Sequence, residues 1–371
     1  VSFATAGGGA DLYAANESSP AAQPSATGTN AIAIGDQAVS SGTDSFAIGT
    51  DTDATGTSSL AIGKGAQATA NYNLAIGLNA NATAERAIAI GNNGVIAGST
   101  FSTAIGHNSG FGGSTTATGS GATALGGSYA SGVDSFAAAI ANNTSSYGAT
   151  ATNAIAIGNQ CKATGNYSIS IGRANNVSGP NGASALGQSC TVSGEAAFAV
   201  GNINIASGAY SQAIGNGANT ANIHGKFAKA NGYFSNYADA QYGQFVLRGN
   251  TTDATAKVLT TNNSAAAATN QIILPNTSAY AFHGTIVGRE DASDGTDCCA
   301  FKVEGLIRRE ANAGTTVLVN SATTVIDNTP NWSMALSADT TNGGLSITMT
   351  GAASTNIRFV ATIHTSEVTY A

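Results

Sequence analysis

A five-residue segment closing on Gly returns along the chain at a nearly fixed interval, and this constrains the fold more than any other feature. Ala31-Ile32-Ala33-Ile34-Gly35, Ser45-Phe46-Ala47-Ile48-Gly49, Ser59-Leu60-Ala61-Ile62-Gly63 and Asn73-Leu74-Ala75-Ile76-Gly77 open the series. It continues through copies ending at Gly91, Gly106 and Gly126, a degenerate Ala137-Ala138-Ala139-Ile140-Ala141, and copies ending at Gly158, Gly172, Gly187, Gly201 and Gly215. Of the twelve spacings between the thirteen copies, seven are 14 residues, three are 15, one is 17 and one is 20. A period of this kind marks a solenoid, in which each repeat is one supersecondary unit stacked on the next.

Within each copy two classes of side chain alternate. Phe46 and Ile48 share one face, while Ser45, Ala47 and Gly49 share the other. Period two is the signature of a strand. A weaker extended segment follows each Gly, as in Gly63-Lys64-Gly65-Ala66-Gln67-Ala68-Thr69-Ala70. Fourteen residues therefore make strand, turn, strand, turn: one coil of a flattened parallel roll. Gly at the strand end supplies backbone conformations closed to other residues. At the 4.7–4.9 Å spacing of stacked strands, thirteen coils extend roughly 60 Å. The Ile/Leu/Phe column is expected to fill the roll and the Ala/Ser/Gly column to form a flat outer face open to another chain, although spacing alone leaves the direction of each column open.

The pattern x-x-Ala-Ile-Gly at 14-residue spacing, followed by Ala-x-Ala-x-Gly-type segments such as Cys161-Lys162-Ala163-Thr164-Gly165, resembles the YadA-like head repeat of trimeric autotransporter adhesins. The resemblance covers about residues 28–220. It implies a left-handed parallel β-roll and a tight homotrimer. The chain departs from the pattern at residues 92–152, where protruding loops are expected around Ser109-Gly110-Phe111-Gly112-Gly113 and Asn142-Asn143-Thr144-Ser145.

Composition narrows the function classes. Charged residues make up 9 % of the chain, against ~25 % in an average soluble domain. Gly numbers 47 and Pro only 5, so the profile is one of tight repetitive packing and not of disorder. A net charge of −7, thinly spread, argues against a nucleic-acid surface. No apolar run of about 18 residues marks a membrane-spanning helix, so no membrane insertion is expected. The start, Val1-Ser2-Phe3-Ala4-Thr5, lacks the basic and apolar regions of a secretory signal.

After roughly residue 240 the repeat stops and charge density rises. Residues 1–240 hold 16 charged residues, whereas 241–371 hold 17 in little more than half the length. Alternating segments at Gln244–Arg248, Gln271–Leu274, Tyr280–Val287, Ala300–Arg308, Thr315–Val319, Trp332–Leu336, Leu345–Met349 and Ile357–Val368 predict an antiparallel β-sandwich or jelly roll. Asp239-Ala240-Gln241, Val246-Leu247-Arg248, Lys302-Val303-Glu304-Gly305 and Ile357-Arg358-Phe359-Val360-Ala361 resemble the C-terminal domain recurring in phage tail-fibre and other virion proteins. That resemblance implies a trimeric, non-catalytic knob at a fibre end.

The expected organisation is an all-β chain: an arm or cap at 1–27, the roll at 28–215, a neck at 216–240 and the sandwich knob at 241–371. In the neck, Phe227, Tyr233, Phe234 and Tyr237 are candidates to seal the open end of the roll, whose last strand is otherwise an exposed edge.

Candidate chemical groups are few. Cys161 and Cys190 stand three residues after a repeat Gly, where other coils carry Ala38, Ala66 and Ala80, and are expected to be small buried residues. Cys298-Cys299 opens a predicted strand, and a thiol pair is expected there in preference to a vicinal disulfide. His107, His224, His283 and His364 share no spacing, so no metal site within one chain is expected; His224 in the neck is the candidate for a site on a three-fold axis. Glu290, Asp291, Asp294 and Asp297 cluster in one loop, which raises a glycosidase pair or a Ca²⁺ loop, with a solvated hairpin tip as the plainer reading. The Gly110–Gly113 run leads into no helix, so phosphate binding fails on context. Asn-x-Ser/Thr at Asn81, Asn166 and Asn276 follows from the abundance of those residues.

These readings lead to one expectation. The chain is a non-enzymatic, cofactor-free homotrimeric fibre or spike of a phage or other virion, fixed to tail or particle proteins through its N-terminal arm. It binds a host-surface glycan or lipopolysaccharide. The head of a bacterial surface adhesin, a capsid decoration protein and a tailspike hydrolase are the alternatives.

Overall fold

The computed structural model describes residues 23–107, 114–138 and 147–370. The expected loops at 109–113 and 142–145, and residues 1–22 of the expected arm, lie outside them. The chain divides into two compact units, Val1–Asn181 and Gly182–Ala371. All regular structure among the described residues is β, apart from one 3₁₀ turn at Ala313–Thr315.

The first unit is a parallel roll. Short strands such as Ile32–Ile34, Phe46–Ile48, Leu60–Ile62 and Leu74–Ile76 pair in parallel, Ile with Phe, Ala with Ala, Ile with Ile. A second ladder of two-residue strands, including Val39–Ser40, Asp53–Ala54 and Gln67–Ala68, runs beside it in the same register. Backbone bonds pass from coil to coil, for example Phe46 N to Ser59 O at 2.9 Å and Leu60 N to Asn73 O at 2.9 Å.

The direction of the columns is opposite to the expectation. Ala47, Ala61, Ala75 and Ala89 are fully buried, as are Ala54, Ala68 and Ala82 of the second ladder. Phe46 and Ile48 point outward, and Ile105 is 41 % exposed. The cause is steric. The two sheets lie so close that the interior takes methyl groups, hydroxyls, thiols and an occasional Val such as Val95, but not the large Phe and Ile side chains of each rung. Buried hydroxyls such as Ser45 Oγ and Ser59 Oγ bond locally, donating to the carbonyls of Gly42 and Gly56 at 2.7 Å. Asn73 donates to the Ala82 carbonyl at 2.6 Å and accepts from Ala87 N at 3.1 Å.

Gly63 shows why the repeat glycine is required. Its φ is +120°, and a Cβ there would sit 2.6 Å from the Gly77 carbonyl of the next coil. A second glycine ladder lies in the other corner. Gly42 and Gly56 have ordinary φ values, but a Cβ on either would collide with the backbone one coil on.

The degenerate copy is also shifted. Thr123–Leu125 pairs with Phe136–Ala138, Ala124 opposite Ala137, so the rung is Ser135-Phe136-Ala137-Ala138 and not Ala137–Ala141. A slip of two residues preserves the face of every side chain, which is why alternation did not reveal it.

The second unit begins with three more rungs, Ser184–Gln188, Phe198–Asn202 and Gln212–Asn216, paired Gly187 to Gly201 to Gly215. A further rung, Phe227–Asn231, continues the parallel ladder inside the expected neck. Its outer edge is closed by antiparallel pairing with β1 (Ala240–Thr251), Phe227 opposite Gln244. Backbone pairing, and not the aromatic cluster, thus covers the edge. Tyr233 and Tyr237 stack edge to face at 4.9 Å, and Phe234 is exposed.

β1 is followed by β2 (Lys257–Val258), β3 (Ile272–Ile273), β4 (Ser278–Glu290), β5 (Cys298–Arg309), β6 (Val317–Asp327), β7 (Ser333–Asp339), β8 (Gly344–Thr350) and β9 (Ile357–Thr369). The large antiparallel sheet has the order β1-β9-β4-β5-β6. A smaller sheet places β8 beside β2, β3 and β7. Phe245, Phe282, Ile286 and Phe359 from the large sheet meet Leu259, Ile272, Trp332, Ile347 and Met349 in one core. One face of the large sheet is thereby covered, and the other stays open.

At the seam between rung and sheet, Lys226 is fully buried. Its Nζ donates to Glu367 Oε2 at 2.8 Å and lies 5.4 Å from the Phe245 ring centroid. Glu367 also accepts from Gln241 Nε2 at 2.7 Å and Thr365 Oγ1 at 2.7 Å. Burial, followed by the neighbouring Glu367 carboxylate, pushes the Tyr280 hydroxyl well above its ordinary pKa.

Candidate functional site

The open face of the large sheet ends, away from the rungs, in a cleft of about 790 Å³. Its position follows from register. Arg289 of β4 lies directly opposite Arg358 of β9, and Arg358 lies opposite Asn250 of β1. Arg248, two residues from Asn250, shares the same face. Residues far apart in sequence thus bring three guanidinium groups to one sheet end.

The neighbouring groups differ in how far they are committed. Arg289 Nη1 donates to the Thr296 carbonyl at 2.9 Å. Among the described residues, the side chains of Arg248 and Arg358 donate no hydrogen bond, and none of the three arginines has a carboxylate within 4.0 Å. Asn263 Nδ2 donates to Asn250 Oδ1 at 2.9 Å across the mouth. Asn356 and Val360 complete the lining nearby.

The acidic loop singled out in the sequence lies at the rim. Three of its four carboxylates brace backbone. Asp291 accepts from Ser293 N at 3.0 Å and Ser293 Oγ at 2.9 Å, Asp294 from Asn356 N at 2.9 Å, and Glu290 from Asp297 N at 3.2 Å. The Ser293 backbone bond first, then its hydroxyl and Arg358, hold Asp291 below the usual carboxylate range. This is an acidic turn held by its own side chains. No group of three His, Cys, Asp or Glu side chains placed to hold a metal ion occurs among the described residues.

Three of the four histidines fall into two situations, and His107 is exposed at the end of the rung Thr103–His107. His283 and His364 are directly opposed on β4 and β9 and stack with centroids 5.4 Å apart, and Tyr242 Oη bonds His364 Nδ1. Their sequence separation hid this pairing. His224 packs edge-on against Tyr210 at 5.4 Å, and burial, then Arg248, lowers its pKa. Cys161 and Cys190 are buried in the narrow core of the roll, where burial pushes both thiols up. Cys298 is exposed and Cys299 buried, on opposite faces of β5 and unbonded.

The arginines were missed in the sequence. The available signal was an Arg at or just beyond the end of three predicted strands, in Val246-Leu247-Arg248, Gly288-Arg289-Glu290 and Ile357-Arg358-Phe359. Only the pairing of β1, β9 and β4 shows that they converge.

The family described as the YadA head domain repeat matches residues 26–52, 54–72, 74–93 and 149–175, all within the roll of the first unit. None of the curated proteins matches the chain. Among solved structures, the tailspike protein gp49 from Acinetobacter baumannii bacteriophage Fri1, a capsular polysaccharide depolymerase, is similar at 9 % identity with a TM-score of 0.26. The similarity covers 90 % of this chain and spans 61 % of that protein's length.

Proposed function

We propose that the protein is a homotrimeric fibre or spike of a virion that projects from the particle and attaches it to a glycan on the host surface. The observation that carries this reading is the outward apolar column of the roll. Phe46, Ile48 and Ile105 stand on an outer surface backed by a fully buried alanine core. They recur at each coil, so they form one continuous strip where an isolated soluble chain would carry polar residues. Further copies of the chain are the economical cover, because every copy presents the same strip.

Strand β6 supports the same reading in the second unit. Val317, Val319, Val325 and Ile326 are all exposed on it, so both its faces await a neighbour. The bracing of backbone by Asp291 and Glu290 within their own loop, and by Asp294 at Asn356 before β9, supports attachment without hydrolysis.

Two measurements test the reading. Native mass spectrometry of the full chain is expected to give three times 36.4 kDa, and a monomeric mass sinks it. Cryo-electron microscopy or immunogold labelling of intact particles is expected to place the protein on the virion surface. Finding it instead on the bacterial envelope transfers the assignment to an adhesin.

A further inference from the structure

We propose that the arginine cleft is the receptor site, and that it takes a saccharide carrying carboxylate groups. The proposal rests on the glycan-attachment reading above and adds to it a location and a ligand chemistry. Three features of the cleft point to it.

The first is an arrangement costly to the free protein. Arg289 and Arg358 sit directly opposite on adjacent strands, and like charges in that position destabilise a sheet. Asp291 is near enough for its charge to interact with that of Arg358, but among the described residues neither arginine makes an ion pair with a carboxylate within 4.0 Å. A carboxylate placed between them removes the repulsion, and each guanidinium can engage it through two parallel N–H donors.

The second feature is size. At about 790 Å³ the cleft falls within the ~300–1,000 Å³ range of sites for molecules of several rings. That is far larger than a single inorganic anion requires.

The third is the mixture of groups. Asn250, Asn263 and Asn356 supply amide donors and acceptors, and Val360 gives an apolar patch for the C–H face of a ring. Glu290 and Asp291 stand at the rim, where carboxylates accept from hydroxyls. An anionic group together with many hydroxyls is the chemistry of an acidic sugar. A chain of net charge −7 with only three arginines here is poorly suited to nucleic acid.

The test uses the full chain in its native assembly, with trigalacturonate, its fully methyl-esterified form and inorganic phosphate as probes in titration calorimetry. Trigalacturonate is expected to bind at least ten times more tightly than the ester, and more weakly as salt rises. The double variant Arg289→Gln/Arg358→Gln is expected to lose at least tenfold in affinity. Its thermal midpoint without ligand should rise by ~1–4 °C, because the repulsion is gone. Arg358→Lys, which keeps charge but not the fork, is expected to fall between.

Equal binding of acid and ester overturns the proposal. So does phosphate competing as strongly as the trisaccharide, which makes this a bare anion site. Dissociation of the assembly in the double variant, with no saccharide binding by the wild type, assigns the arginines to subunit contact instead. Attachment to host cells is measured in parallel. Cells bound equally by wild type and double variant leave the attachment reading standing and remove this site from it; saccharide bound by a protein that ignores cells does the reverse.

Discussion

The roll and the antiparallel region are both built from strands, but they are held together in opposite ways. In the roll the buried side chains are mostly methyls and hydroxyls such as Ala61 and Ser59, and the backbones of successive coils nearly touch at Gly63 and Gly77. In the antiparallel region the core is made of large side chains, Phe282, Trp332, Phe359 and Met349, and fine packing sets its density. The roll is limited by how little room it has, the sandwich by how fully its room is filled. Large apolar residues are not scarce in the roll. They are outside, so the roll leaves on its surface the large apolar side chains that the sandwich buries in its core.

The largest expected effect bears on the seam where the two regions join. Lys226→Met leaves Glu367 buried without its cation, which costs about 3–5 kcal/mol in urea unfolding. Lys226→Met/Glu367→Leu is expected to recover most of that loss. A double variant as unstable as the single would show that the pair itself, and not the orphaned carboxylate, is what matters.

Next comes the direct contrast. Ile347→Ala in the sandwich removes volume and is expected to cost ~2–5 kcal/mol, whereas Ala61→Leu in the roll adds volume and is expected to cost ~1–3 kcal/mol. Gly63→Ala is expected to cost ~1–3 kcal/mol from backbone strain alone. If Ala61→Leu proved neutral in thermal unfolding, the interior of the roll would be roomier than its alanines imply.

A smaller effect is pH-dependent. Burial and Arg248 depress the pKa of His224, so the unfolded chain takes up a proton that the folded chain refuses. Stability is therefore complete above about pH 6.5, the ordinary histidine value, and falls as pH drops through it. The thermal midpoint of wild type should decline from pH 7.5 to 5.5, and that of His224→Gln should decline less. Equal slopes would place the pH dependence elsewhere.

The smallest effect leaves stability untouched. Cys298 is exposed, whereas burial pushes the Cys299 thiol up to about 11, and Cys161 and Cys190 are enclosed. Iodoacetamide at pH 8 should modify Cys298 quickly and the other three slowly in the folded protein. Rapid modification of Cys190 would mean that the roll opens under native conditions.

Much of the fold was legible in the sequence because a repeat is a local signal. Alternation in Ser45–Gly49 and its return every 14 residues are enough to derive strand, coil and stack. Direction was not legible, because period two says that Phe46 and Ala47 face oppositely without saying which faces in. Width decides that, and width is a property of two sheets together. The rung at Phe227–Asn231 escaped notice because Ala230 replaces the repeat Gly. The cleft was hardest to see. Its acidic rim is contiguous and stood out, whereas Arg248, Arg289 and Arg358 converge only through the registry of three strands.

The nearly exact repetition of the rungs has a consequence for how such a chain changes over generations. Loss of residues 50–63 as a block would join Gly49 to Lys64, the same dipeptide that Gly63 makes with Lys64 in the intact chain. Phe46–Ile48 would then meet Leu74–Ile76, with alanine again opposite alanine. The ladder would shorten by one strand spacing, ~4.8 Å, with every corner preserved. Length in the roll is thus a quantity that whole-coil losses or gains can change without disturbing the antiparallel region beyond it.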